Sequence, residues 1–184
     1  WAGTATFSYF QDCYTDILAY SYPIMADSSE FTLAEINTFK SEMDNTSSEA
    51  TRLGKRWEAV LQGWGHNYDE SPTNARRLPS FDEARFMLYY AINKGAKGAT
   101  FYPLYRSNIT TADEDEPYPY DGDQWQIDVF TELAEEIDTL CAAIWPGTVA
   151  NMISDDITDV RSDVFQDPDI GTYYLVAINV MDGS

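Results

Sequence analysis

The residues best placed to exchange a proton are two neighbouring acids in a turn-rich stretch, Asp69 and Glu70, with the single histidine, His66, just before them. Carboxyl groups and imidazole are the usual general acids and bases. Serine- or cysteine-histidine catalysis would have to run through His66, and no G-x-S-x-G nucleophile elbow accompanies it. Asp69 and Glu70 read equally as solvated loop acids, and His66 as a ligand contact or a surface residue. A second acidic group, Asp113 to Glu116 with Asp121 and Asp123, offers the hard oxygens that suit Ca²⁺. Its spacing is not that of an EF-hand loop, and a solvated run is the competing reading. No phosphate-cradling glycine loop and no zinc-ligand spacing occurs, so no other cofactor is expected.

Charge narrows the partners. The chain carries 31 acidic and 11 basic residues over 184 positions, a formal net charge of −20. Such a surface repels phosphate backbones and excludes nucleic-acid binding as an expectation. It suits a soluble protein that meets cations or neutral molecules such as sugars. Hydrophobic residues make up 44% and aromatic residues 15%, enough for a packed core. No apolar run reaches the length of a membrane span. Cys13 and Cys141 lie far apart and could form one disulfide in an oxidising compartment or remain two buried thiols. Asn45-Thr-Ser and Asn108-Ile-Thr are acceptor sequences for N-linked glycans, which lean towards a secreted location.

The elements that must position these groups alternate between short apolar runs and amphipathic stretches, as parallel βα units do. Asp16 to Met25 reads as a strand closed by Pro23. Thr32 and Glu35 form a capping box for a helix carrying Leu33, Ile36 and Met43. A separate helical piece is expected from Ser48 to Leu53, stopped by Gly54. Arg56 to Trp64 reads as a second strand. Ser80 and Glu83 form another capping box, and Phe81, Ala84, Met87, Leu88, Ala91 and Ile92 follow as one apolar stripe ending at Gly95. Gly98 to Pro103 is the third strand. After a long acidic loop, Asp123 caps a helix from Trp125 to about Ile144, with Phe130, Leu133, Ile137, Leu140 and Ile144 on one face and Pro146-Gly147 as its stop.

Beyond this point the pattern changes. Asp163 to Gln166 and Thr172 to Val180 read as strands with no helix between them, so an antiparallel β-domain is expected over 151–184, after a βα portion over 1–150. Asp182-Gly183 is a hairpin turn signal without a returning strand. Three βα units cannot close a parallel barrel or cover both faces of its strands. The expectation is therefore a fragment or processed product, completed by other polypeptide.

The stretch from Val60 to Ser107 resembles the seventh and eighth strands of TIM-barrel glycoside hydrolases and their relatives. The resemblance rests on Leu61, Gln62, Trp64 and Gly65 at a strand end, then Pro79, Ser80 and Glu83 opening a helix. Ala91, Gly95, Ala96, Gly98, Phe101 and Tyr102 complete it. Asp16 to Pro23 is similar to the sixth strand, the Trp125 helix to the eighth barrel helix, and Tyr173 to Asn179 to the opening of a following β-sandwich. The fold this implies is α/β: the last three βα units of a partial (β/α)₈ TIM barrel, followed by the beginning of an antiparallel β-domain.

The same resemblance implies a carbohydrate cleft at the carboxyl ends of the strands. Tyr22, Gln62, Trp64, His66, Tyr102, Tyr105 and Arg106 are the substrate-binding candidates, since aromatic faces stack on sugar rings while amides and cations direct hydrogen bonds. Packing at the barrel top is the alternative for each. Two carboxyl groups are needed for glycoside hydrolysis. At the expected nucleophile position stands Gln62, which cannot attack. Glu58 shares its strand parity but lies four residues deeper, where a structural role is expected, as for Asp16. The function implied is a secreted glycoside hydrolase-like portion whose acid/base carboxylate lies outside the chain, with Asp69 and Glu70 as weak internal candidates. The alternative is a non-catalytic extracellular glycan-binding or assembly module on the same scaffold. Its partners would be carbohydrate and either the remaining polypeptide of the barrel or neighbouring subunits.

Overall fold

A computed structural model describes residues 17–24, 31–63, 77–102, 126–144, 160–166, 169 and 171–179. Strand β1 (Ile17–Ser21) alternates buried and exposed positions, with Ile17, Ala19 and Ser21 on the covered side. Strand β2 (Trp57–Gln62) is buried at five of its six residues, as a central parallel strand must be. Strand β3 (Ala99–Tyr102) completes the sheet in the order β1-β2-β3. Both pairings are parallel, with Ala19 opposite Ala59 and Ala59 opposite Ala99. The strands ending near Pro23, Gln62 and Tyr102 therefore run side by side in one direction.

Helix α1 (Leu33–Leu53) is held at its start by the expected capping box. The Thr32 main-chain N–H donates to Glu35 Oε2 at 2.7 Å, and Thr32 Oγ1 accepts from the Glu35 N–H at 3.3 Å. Gly54 ends it with φ of 62°, a left-handed turn that a side chain would strain. The expected break before Ser48 does not occur: α1 is one helix of 21 residues. Its polar middle tolerates the helix because Thr38 and Thr46 donate their hydroxyls back to the Ala34 and Glu42 carbonyls, at 2.9 Å each. Phe39, Met43, Thr46 and Ala50 then form one buried stripe.

Helix α2 (Phe81–Asn93) repeats the design, with a complete Ser80–Glu83 capping box. Ala84, Met87, Leu88, Ala91 and Ile92 are buried as the stripe requires. Gly95, at φ of 90°, reverses the chain into β3. Both helices cover the same side of the sheet: Phe39 and Met43 of α1, Met87 and Ala91 of α2, and Ile17, Ala59, Leu61 and Phe101 of the strands share one core. The Phe39 ring meets Phe86 and Tyr90 of α2 at 6.1 and 5.8 Å.

A π-helical turn over Gln126–Thr131 leads into helix α3 (Glu132–Ile144). The fourth helix expected as one α-helix from Trp125 thus begins with a wider turn. Phe130 sets its ring edge-on to Phe101 at 6.2 Å, and Leu133 is fully buried. Strands β4 (Val160–Gln166) and β5 (Tyr173–Asn179) pair antiparallel from Val160–Asn179 to Gln166–Tyr173. Phe165, Val176 and Ile178 join the same apolar core as the helices. The ribbon therefore packs against the βα portion and shares its interior.

Candidate functional site

The side of the sheet away from the helices carries the groups able to meet a ligand. Strand alternation places Leu18, Tyr20, Glu58, Val60, Gln62, Thr100 and Tyr102 there. Tyr20 is 47% exposed and Tyr102 45%. Tyr22, one residue past the Ser21–Leu61 pair, falls in the same row as Gln62 and Tyr102. The outer strands are roughly 9.6 Å apart across β2, yet the Tyr22 and Tyr102 rings stack at 6.0 Å and 28°. The two rings therefore lean towards each other from either side of Gln62. Tyr20 meets the edge of Tyr22 at 6.3 Å, which extends the pair into a cluster of three tyrosines.

Gln62 sits beneath this cluster with no exposed surface. Its Oε1 accepts from the Ile24 N–H at 2.9 Å, and its Nε2 donates to the Ile24 carbonyl at 3.1 Å and the Arg77 carbonyl at 2.8 Å. The sequence reading gave this amide a ligand-directed role. In the structure it is engaged by main chain on both sides, which fixes the segment after β1 against the approach to α2. A buried amide satisfied in this way is a structural latch.

The approach to α2 is braced a second time. Arg77 grips Glu83 bidentately, with Nη1 to Oε2 at 2.7 Å and Nη2 to Oε1 at 2.6 Å, while the Ser80 N–H donates to Glu83 Oε2 at 2.7 Å. Burial alone pushes the Glu83 carboxyl up, but the Arg77 and Ser80 hydrogen bonds together with the Arg77 charge outweigh it and hold Glu83 below the usual carboxylate range. On the helix side of β1, Ser21 donates its hydroxyl to the Glu42 carboxylate of α1. Burial is the main cause that raises the Glu42 carboxyl above its ordinary value.

Sequence reasoning missed Tyr20, Arg77 and the Ser21–Glu42 pair. Tyr20 was findable, because Leu18, Tyr20 and Tyr22 alternate as a second apolar face along β1. Trp64, His66, Asp69, Glu70, Tyr105, Arg106 and Asn108 lie outside the described residues, as do Cys13, Asp16 and the acidic group from Asp113 to Asp123. Cys141 falls within α3. Asn45 stands exposed in the middle of α1, where its neighbours Thr46 and Ser47 bond the Glu42 and Lys94 carbonyls at 2.9 and 2.6 Å. The sequon therefore lies on a helix and not in the surface loop that such acceptors favour.

Two hollows lie away from the tyrosines. One of about 420 Å³ between α2, β3 and α3 is walled by Leu88, Ile92, Phe101, Phe130, Leu133 and Ile137. The other, about 350 Å³, runs beside β5 and holds a bidentate Arg85–Glu136 pair, with Arg85 Nη2 to Glu136 Oε1 at 2.6 Å. Among the described residues no group of three or more metal-ligating side chains comes together, and no helix is long and apolar enough to cross a membrane. Compared with protein-family profiles, with characterised proteins and with solved structures, the chain matches none.

Proposed function

We propose that this chain lines a carbohydrate-binding cleft as the last βα units of a TIM-barrel, glycoside hydrolase-like protein that is secreted. The observation that carries the reading is the tyrosine cluster: Tyr22 and Tyr102 stack at the carboxyl ends of two parallel strands, with Tyr20 beside them and partly exposed. Exposed aromatic faces at that end of a parallel sheet suit the apolar faces of sugar rings. Consecutive parallel strands with both connecting helices on one side are the arrangement from which a barrel is built, and the sheet edges at β1 and β3 are where further strands of the same barrel, or a neighbouring subunit, would add.

A specific observation favours the non-catalytic version of this reading. Gln62 occupies the end of β2, where a nucleophilic carboxylate would stand, and its amide is bound to main chain. In this version the scaffold binds glycan without cleaving it. Titration of the protein with soluble oligosaccharides, followed by tyrosine and tryptophan fluorescence, tests the binding claim. Tyr102→Ala should weaken binding by about tenfold, the order of one lost aromatic contact. Unchanged affinity in that variant, or no response to any glycan, would overturn the site. Release of new reducing ends on incubation would decide for the catalytic version.

A further inference from the structure

The acceptor tripeptide Asn45-Thr46-Ser47 lies in the middle of α1, and the fold treats its three side chains differently. Asn45 is exposed, and its amide nitrogen makes a long contact of 3.5 Å to Ser41 Oγ. Thr46 is buried and bonds back to the Glu42 carbonyl. Ser47 donates its hydroxyl to the carbonyl of Lys94, just past the end of α2, at 2.6 Å. Lys94 in turn pairs with Asp44 at 2.6 Å, and the Tyr90 hydroxyl donates to the same carboxylate at 3.0 Å. The Ser47 hydroxyl is thus fastened into the contact between α1 and α2. Around the acceptor, Ala34, Thr38, Ser41 and Ser48 stand exposed at helical spacing in one row with Asn45. None of these is charged or bulky, on a chain with 31 acidic and 11 basic residues. A sugar joined to Asn45 therefore meets neither a charge nor a large side chain along this row. The row also stays outermost in a closed barrel, where the helices form the outer ring.

We infer that Asn45 is an N-glycan acceptor that is open before α1 docks on α2 and closed afterwards. In the transfer, the Asn45 amide nitrogen attacks C1 of a sugar carried on a lipid diphosphate. The N–C1 bond forms, the C1–O bond breaks, the lipid diphosphate leaves with the electron pair, and the amide gives up one proton. The hydroxyl two residues on is part of the acceptor, which is why the motif requires Ser or Thr there. In the folded chain the tripeptide must leave the helix and Ser47 must release Lys94 before an enzyme can use it. Both steps need local opening of a helix held by the Thr32–Glu35 capping box and by Gly54. On the unfolded chain neither obstacle exists. Once attached, the glycan projects from the outer side of α1 and leaves the buried stripe of Phe39, Met43, Thr46 and Ala50 undisturbed. The inference rests on the secreted reading above, because the lipid-linked donor is met on the secretory route.

Two experiments test it. In the first, the full chain enters a secretory host behind a signal peptide, and mass spectrometry of its peptides reads the glycan on Asn45. The site should be occupied, and Ser47→Ala should abolish its glycan. Entry is imposed here, so an empty Asn45 overturns the acceptor inference without touching the secreted reading. An occupied Asn45 in that host, with a bare Asn45 in protein from the native source, overturns the secreted reading instead. In the second, unglycosylated full chain from a bacterial host is offered to an oligosaccharyltransferase with its lipid-linked donor. Phe39→Asp places a charge among the Phe86 and Tyr90 rings and loosens α1 without altering the tripeptide, which hydrogen exchange confirms. The loosened variant should be modified at least about tenfold faster than the folded parent, because local opening controls access. Equal rates in the two proteins overturn the claim that folding closes the site.

Discussion

Replacing Gln62 with leucine removes the latch under the tyrosines while keeping nearly the same side-chain volume. Three hydrogen bonds among the described residues are lost, and the Ile24 N–H, the Ile24 carbonyl and the Arg77 carbonyl all lose a partner. Because Gln62 and Ile24 have no exposed surface, water cannot readily take its place at the first two groups. An unsatisfied buried group costs about 1–3 kcal/mol, and the apolar replacement recovers part of the transfer energy of the amide. The expected net loss is about 3 kcal/mol. For a chain of this length that lowers the melting temperature by roughly 6–12 °C. Urea unfolding followed by tryptophan fluorescence reads the change as a shifted midpoint at constant slope. An unfolding free energy within about 0.5 kcal/mol of the parent protein would refute the latch. Gln62→Glu is a sharper companion, since an ionised carboxylate would face two carbonyls. It should be less stable than Gln62→Leu at neutral pH and recover on acidification.

Three further outcomes follow from the charged contacts. The Glu42 carboxyl has its folded-state pKa raised above the ordinary 4.5, so its contribution to stability is present below that value and is lost as pH rises through the raised one. Glu42→Gln should flatten the fall in unfolding free energy just above pH 4.5. Glu83 has the opposite sign: its lowered pKa gives stability above 4.5 that disappears as pH drops below it, and Glu83→Gln should remove that acid-side loss in a pH series of unfolding curves. The same substitution should cost about 2 kcal/mol at neutral pH, because the bidentate, charge-assisted Arg77 pairing is lost while the amide oxygen can still accept the Ser80 N–H. The Arg85–Glu136 pair is half exposed on its arginine side, so a double-mutant cycle should give a coupling of only about 0.5–1 kcal/mol, falling in high salt.

The helices were legible because their signals are local. The Ser80–Glu83 box and the stripe from Phe81 to Ile92 use contacts within a few residues, and α2 follows both. The parallel strands were legible for a similar reason: Ala59, Val60 and Leu61 of β2 form a continuous apolar run, which suits a central strand. The piece expected from Ser48 to Leu53 is the continuation of α1, because the polar residues before it are accommodated by contacts that spacing does not show. The hydroxyl of Thr46 bonds within the helix and that of Ser47 reaches the Lys94 carbonyl, a contact 47 residues away. Gln62 shows the deeper limit. An amide at a strand end has the same chemistry as ligand contact or as latch, and the choice was made by Ile24 and Arg77, 38 and 15 residues distant. Spacing within β2 holds no trace of either partner.

The order of the sheet also bears on how the chain is made. In the three-stranded sheet β2 pairs with β1 and β3 with β2, and α1 and α2 cover the same side of it. During synthesis from the N-terminus, β2 finds β1 already made and β3 finds β2, so each parallel pairing joins neighbours in sequence. Loop closure at each step spans only one helix and its turns. The β4–β5 ribbon alone docks back across completed structure, and it should be the last element protected from hydrogen exchange during refolding.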